Sequence, residues 1–271
     1  MAQTDTVFTG KIPEIYDRLM GPMLFQPYAA DLARRMGGLR TGHVLETAAG
    51  TGIVTRALAA ALPDTVAITA TDLNQPMLDY AAAQPGADRV IWRQADAQAL
   101  PFADQTFDAV ICQFGVMFFP DKAAGYRQAV RVLKPGGRFL FNVWSALALN
   151  PIPHVLTEAV AALFPADPPR FLARTPHGYN DIATITAALN AAGFVAITAE
   201  RHTERSRAAS ARAAAMAFCQ GSPLRGEIEA RDASRLAAAT EVAAQALASR
   251  FGDGPIEAPM EAIVFSATRP E

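Results

Sequence analysis

Residues 44–52, Val-Leu-Glu-Thr-Ala-Ala-Gly-Thr-Gly, decide how the rest of the chain is read. An apolar run ends in an acid, Glu46, and passes through small residues and two glycines into IVTRALAAAL (53–62), a helical segment. Such a turn lets backbone approach a ligand closely. In open parallel sheets, ligands bind beyond the carboxyl ends of the strands, and the free amides of the following helix favour a carboxylate or phosphate there. A glycine turn alone is weak evidence, so its neighbours matter. Three more polar residues stand where successive strands should end: Asp72 after VAITAT, Asp96 after VIWRQA and Gln113 after FDAVIC. An acid ending the second strand is suited to accept both hydroxyls of a ribose, and an acid after the third can accept an adenine amino proton. With Glu46, the array reads as an adenosine site.

Outward from this stretch, β-like runs alternate with helical segments between about residues 40 and 145, the pattern of a parallel sheet covered by helices. The runs are HVLETA, VAITATD, RVIWRQ, FDAVICQF and GRFLFNVW. PMLDYAAA follows Asn74 as a candidate N-cap, and Lys134-Pro135-Gly136-Gly137 ends KAAGYRQAVRVL. After Trp144 the texture changes: six of the 19 prolines fall between 151 and 176, around a short helical run, HVLTEAVAALF. This reads as an insertion. Asn180 or Asp181 then caps ITAALNAA, Gly193 stops it, FVAITAE is a sixth strand and EAIVFSATR a final one. The Ala- and Arg-rich segment 206–250 is expected to be helical, broken by Gly221-Ser222-Pro223, and its plainest interpretation is a solvated helical pair. Two amphipathic stretches, KIPEIYDRLM and YAADLARRM, precede the sheet.

The expected fold is α/β: a doubly wound, mostly parallel seven-stranded sheet with helical N-terminal and C-terminal cap insertions. The expected organisation is an N-terminal helical cap at 1–39, a cofactor-binding core at 40–145, a Pro-rich cap insertion at 146–179, and completion of the sheet at 180–271.

Composition narrows the function. Of the 271 residues, 51% are hydrophobic and 18% charged, values typical of a globular chain. A net charge of -2 offers no footprint for a phosphate backbone, so nucleic acid is not an expected partner. Cys112 and Cys219 lie far apart and outside any CxxC spacing, which suggests neither a disulfide framework nor a thiolate metal site and fits a reducing cytosol. The start, MAQTDTVFTGK, lacks a basic segment followed by an apolar run, and no stretch reaches the roughly 18 apolar residues of a membrane span. A cytoplasmic, unprocessed chain without bound metal is expected, and a homodimer is one admissible state.

The sequence resembles the class I S-adenosylmethionine-dependent methyltransferases, in particular the small-molecule branch (methyltransferase type 11 domain) that includes ubiquinone and menaquinone biosynthesis enzymes. ETAAGTG (46–52) matches the first cofactor motif and ATDLNQPML (70–78) the second-strand motif. QADAQALPFADQTFDAVICQFGVMFFPD (94–121) matches the run through strand four, and RVLKPGGRFLF (131–141) the strand-five motif. The similarity covers about residues 40–145 and is looser outside. It implies S-adenosyl-L-methionine as cofactor, with S-adenosyl-L-homocysteine as product. Glu46 would hold the methionine amino end, directly or through water, and Gly50 and Gly52 would pass beneath the methionyl moiety. Asp72 would bind the ribose hydroxyls, Leu73 and Met77 would pack against adenine, Asp96 and the Ala97 amide would read its edge, and the Gln113 carbonyl would face the sulfonium. Tyr16 is counted with this set. Ala48 departs from the family, which often has glycine there, so the turn should be slightly more crowded.

A nicotinamide dehydrogenase also uses a glycine turn and an acid on the second strand. The spacing opposes it: Thr55 falls at the third glycine, and Glu46 precedes the turn where a dinucleotide enzyme needs no carboxylate. A non-catalytic protein that binds the same nucleoside as a sensor or partner subunit would show the same residues. The long cap segments favour an enzyme, because keeping a small acceptor from water requires a lid.

Methyl transfer from a sulfonium is an in-line displacement, so placing the nucleophile about 3 Å from the methyl carbon and excluding water should matter most. An oxygen or acidic-carbon acceptor also benefits from a base. His154, His177 and Tyr179 are the catalytic candidates, with Tyr16 and Tyr28 as further orienting groups; the plainer reading of each histidine is a structural loop residue. Trp144, Phe114 and Phe118 form an apolar acceptor wall or belong to the core. The expected partner is a small, largely apolar acceptor, such as a ring bearing hydroxyls, methylated at oxygen or carbon. Nucleobase amino methylation usually accompanies an Asn/Asp-Pro-Pro-aromatic run, where this chain has Gln113-Phe114-Gly115-Val116. Arsenic methylation needs more thiolates than two cysteines supply.

Overall fold

A computed structural model describes residues 12–271. The unprocessed amino terminus expected from residues 1–11 lies outside the described residues, as does the rest of the N-terminal cap before residue 12.

Seven strands form one sheet: β1 (Gly42–Glu46), β2 (Val66–Asp72), β3 (Val90–Gln94), β4 (Phe107–Gln113), β5 (Leu133–Trp144), β6 (Val195–Ala208) and β7 (Ile256–Thr268). Their order is β3-β2-β1-β4-β5-β7-β6. β1 to β5 run parallel, with Val44 beside Ile68 on β2 and beside Ala109 on β4. Backbone bonds from Gly136 N to Arg269 O and from Arg269 N to Gly137 O make β7 antiparallel to β5. The central strands are buried on both faces, so they read as continuous apolar runs rather than alternating ones. Chain order reverses between β1 and β4, the position beyond whose strand ends open α/β sheets bind their ligands.

The helices are α1 (Ile12–Ile15), α2 (Gln26–Arg35), α3 (Ile53–Ala61), α4 (Gln75–Ala82), α5 (Lys122–Val132), α6 (Pro151–Leu163), α7 (Phe171–Arg174), α8 (Ile182–Ala191), α9 (Ala211–Gln220), α10 (Leu224–Asp232) and α11 (Leu236–Phe251). Residues Tyr16–Phe25 form a π-helical turn around Pro22, whose missing amide hydrogen loosens the spacing, so that Gln26 N bonds Gly21 O.

The chain divides into two compact units. One comprises residues 28–143, 180–202 and 262–271, with the sheet at its centre. Its core includes a stack of Phe139, Phe141 and Phe265, with Phe141 and Phe265 at 5.0 Å between ring centres, extended by Phe194 against Phe139 at 5.6 Å. The other comprises the described residues through Pro27 with 144–179 and 203–261. It is mostly helical. α9 and α11 bury alanine-lined faces, and Glu227 on α10 accepts from the amides of Arg170 and Phe171 and pairs with Arg174, securing α7.

Several local expectations change. Asn74 does not cap α4 through its side chain; its amides turn back to the Asp72 carboxylate, the stronger acceptor. At the other expected cap, Asp181 accepts from Thr184 N at 2.7 Å. β6 runs on through Ala208, so Ser206, expected in a helix, is in a strand, and the helices begin at Ala211 after the Ser210 cap. Three helices follow instead of a pair, with Ala214, Ala215 and Ala217 buried, because small side chains let α9 and α11 approach closely. α6 starts at Pro151, three residues before the expected run, since proline is tolerated in a first helical turn. Among the described residues, no helix is long and apolar enough to cross a membrane.

Candidate active site

Because β1 to β4 are parallel, the residues that end them share one edge of the sheet. Glu46 closes β1, Asp72 closes β2, Gln113 closes β4, and Asp96 follows β3 by two residues. Backbone bonds join these ends: Thr47 N to Ile111 O (2.9 Å), Ala49 N to Thr71 O (2.9 Å) and Ala95 N to Asp72 O (3.0 Å). Four chain-distant segments are thereby held side by side, on both sides of the point where strand order reverses.

The turn between β1 and α3 uses left-handed backbone at Ala48 (φ 53), Gly50 (φ 56) and Gly52 (φ 76). For Ala48 that conformation costs about 1 kcal/mol. A side chain at Gly115 would lie 2.5 Å from the Ala48 methyl and 2.7 Å from Cys112 Sγ, so the crowding expected at Ala48 is accommodated by a glycine on the facing loop. The two turn glycines differ. A Cβ at Gly52 would strike Trp92 at 2.8 Å, which makes that glycine a packing requirement, whereas a Cβ at Gly50 would meet only Met77 Cε, at 3.5 Å.

Burial raises the proton affinity of both strand-end acids. Glu46 is 1% exposed and its carboxyl is pushed up to about 8, mainly by desolvation, although Thr55 Oγ1 donates to Glu46 Oε2 at 2.5 Å and opposes the shift. Asp72 is raised by desolvation too, against the amides of Asn74 and Gly50, each donating at 2.8 Å to a different carboxylate oxygen. Oδ2, bonded to Gly50, has a second lone-pair direction left for a ligand hydroxyl, whereas Oδ1 takes both Asn74 amides, the backbone N at 2.8 Å and Nδ2 at 3.4 Å. Asp96 Oδ1 accepts from Gln98 N at 2.8 Å, which orients the carboxylate. Beside these acids Leu73 is 49% exposed, an unusual state for a leucine at a strand end, and Met77 is buried.

A nucleoside with an amino-acid tail suits this edge. Leu73 presents open apolar surface for a base. Thr51 Oγ1, in the glycine turn, is buried without a hydrogen-bond partner and would gain one from a polar tail.

Glu46, Ala48, Gly50, Gly52, Asp72, Leu73, Met77, Asp96, Ala97 and Gln113 all lie at this edge of the sheet-bearing unit. Tyr16, His154, His177 and Tyr179 belong to the other unit. There His177 is 7% exposed, its Nδ1 lies 2.8 Å from Ser145 O, and desolvation holds its pKa down at about 4. Its ring is 5.9 Å from that of Trp144, which neighbours Phe25, and Phe25 stacks on Tyr16 at 4.8 Å. His154 lies in the first turn of α6, half-buried. In the sheet-bearing unit Tyr28 is fully buried and its hydroxyl donates to His202 O. Trp144 and Phe114 are buried, whereas Phe118 is half-buried.

Sequence reasoning missed Thr55, Gly115 and Asn142. Asn142 is the one that left a signal: it is a lone amide inside the apolar run FLFNVW, fully buried on β5.

Residues 45–141 match the family model described as a methyltransferase domain. The ubiquinone/menaquinone biosynthesis C-methyltransferase UbiE of Saccharophagus degradans is 32% identical over 179 residues, 59% of this chain and 70% of that protein. UbiE of Geobacter sulfurreducens is 41% identical over 101 residues, 36% of this chain and 40% of that protein. Among solved structures, phosphoethanolamine N-methyltransferase 2 of Haemonchus contortus superposes with a TM-score of 0.61 at 18% identity, covering 96% of this chain and 57% of that one. The [4+2]-cyclase SpnF superposes with a TM-score of 0.54 at 21% identity, covering 90% and 81%. The structural likenesses establish the fold; the sequence relative of which more than two thirds is matched establishes more, and the chain belongs to the S-adenosylmethionine-dependent methyltransferases.

Proposed function

We propose that this methyltransferase acts on a small, largely apolar organic acceptor, at carbon or oxygen, with a quinone-like ring as the leading class. The UbiE relatives are named C-methyltransferases of ubiquinone and menaquinone biosynthesis, which supports carbon methylation of such a ring. Fold alone would not choose, since a cyclase shares it. The observation that carries the cofactor assignment is the convergence of Glu46, Asp72, Asp96 and Gln113 at adjoining strand ends.

S-adenosylmethionine supplies an electrophilic methyl on a positively charged sulfur. The chain's own residues then bind and orient. Asp72 accepts from the ribose hydroxyls while the Gly50 and Asn74 amides hold its carboxylate in place. Leu73 and Met77 pack on adenine, and Asp96 with the Ala97 amide reads its edge. Glu46 receives the methionyl ammonium, Gly50 admits the backbone-close tail, and the Gln113 carbonyl takes the sulfonium side. His154, His177 and Tyr179 are proposed as acceptor-orienting groups and Tyr16 as a cofactor contact. With Nδ1–H donated to Ser145 O and its pKa held down at about 4 by burial, His177 stays neutral near pH 7, which suits orienting an acceptor better than holding a proton.

Incubating the purified protein with labelled cofactor and a panel of quinols, phenols and polyketide-like rings, followed by mass measurement of products, tests the acceptor class. Methylation of a hydroxylated ring supports it; turnover restricted to highly charged metabolites refutes it.

A further inference from the structure

Phe114, immediately after β4, has a left-handed backbone (φ 49), which costs a bulky residue about 1–2 kcal/mol. What holds it there comes from β5. The Phe114 amide donates both to Asn142 O at 3.2 Å and to the side-chain Asn142 Oδ1 at 2.9 Å. Its ring also stands edge-on to Tyr28 at 5.2 Å. Asn142 is 0% exposed, and its Nδ2 is buried without a hydrogen-bond partner. Leaving such a group unmatched costs about 1–3 kcal/mol, so the amide destabilises the strand it sits in and contributes a directed acceptor for one peptide.

That peptide is the Gln113–Phe114 unit. In a trans peptide the N–H and C=O point in opposite directions across one plane. An N–H tied to Asn142 therefore sends the Gln113 carbonyl oxygen away from the Asn142 side chain. We infer that Asn142 is a positioning residue: by clamping the Phe114 amide it sets the direction of the Gln113 carbonyl and so tunes the preference of the site for a charged sulfonium over a neutral thioether. The inference rests on the cofactor placement proposed above, in which that carbonyl takes the sulfonium side.

The two ligands that differ only in this charge and one methyl are S-adenosylmethionine and S-adenosylhomocysteine. Calorimetric titration of both into the unaltered protein and into Asn142→Leu, Asn142→Ala and Asn142→Asp tests the inference. The leucine and alanine variants keep the backbone oxygen of residue 142 but lose the side-chain acceptor, and the affinity ratio of sulfonium to thioether should fall about three- to tenfold, with most of the loss on the sulfonium. Asn142→Asp keeps an acceptor oxygen, and any negative charge it brings favours the sulfonium, so the ratio should not fall. Leucine should not lower the melting temperature, since it removes the unmatched Nδ2. Should leucine fail to fold, alanine carries the same expectation. If both ligands weaken by one common factor, Asn142 is merely structural and the inference is overturned. If the unaltered protein binds neither ligand, the cofactor placement itself has failed instead.

Discussion

Cofactor binding should expel a proton from Glu46, and the release should be measurable at pH 7. In the empty protein the Glu46 carboxyl is pushed up to about 8, so near pH 7 roughly nine molecules in ten carry the proton. Receiving an ammonium requires the carboxylate. Ionising it one pH unit below its pKa costs about 1.4 kcal/mol, a factor of ten in affinity. Affinity for S-adenosylhomocysteine, which carries the same amino-acid tail, should therefore rise about tenfold from pH 6 to pH 7 and level off near pH 8. Above that it should fall once the ligand's α-amino group itself begins to lose its proton. Titration calorimetry at pH 7 in phosphate and in Tris, buffers with different ionisation enthalpies, should give apparent enthalpies that differ by slightly less than one proton's worth. The Glu46→Gln variant should show almost no buffer dependence. Equal apparent enthalpies in the two buffers for the unaltered protein, or an affinity flat between pH 6 and pH 8, would refute the assignment of Glu46 to the ammonium.

Other outcomes follow from the same geometry. Asp72→Ala should weaken cofactor binding about tenfold or more, by removing a charge-assisted acceptor and freeing the Gly50 amide; unchanged affinity in a titration would exclude the ribose role. Gly115→Ala should destabilise the protein by about 1–3 kcal/mol because its methyl meets Ala48 and Cys112 Sγ, and Ala48→Gly should recover part of that loss, as thermal melts of the double-mutant cycle can show. Two groups should bend the pH–stability curve in opposite senses. The Glu46 pKa is above its unfolded value, so its contribution is complete below about 4.5 and fades as pH rises toward 8, and Glu46→Gln should flatten that decline in melting temperature. The His177 pKa is below its unfolded value, so its contribution, about 3 kcal/mol, is present above 6.5 and is lost as pH falls toward 4; a melting temperature insensitive to pH in that window would count against its burial as a neutral ring.

What the sequence determined by itself was the order of the strands and the set of polar residues that close them. Strands buried on both faces are continuous apolar runs, helical segments alternate with them, and an acid or amide closing a run must sit at a strand end wherever the strand goes. Parallel pairing then puts those ends together, so residues as far apart as Glu46 and Gln113 could be named before any coordinates. Only the tertiary structure decided how each group is used. The charge state of Glu46 depends on the water excluded around it. The tolerance of Ala48 depends on a glycine 67 positions later, and the left-handed Phe114 depends on an amide from another strand. Periodicity is a property of neighbours along the chain and can be read there. Desolvation, steric clearance and hydrogen-bond direction belong to neighbours in space, and a single sequence carries no record of those distances.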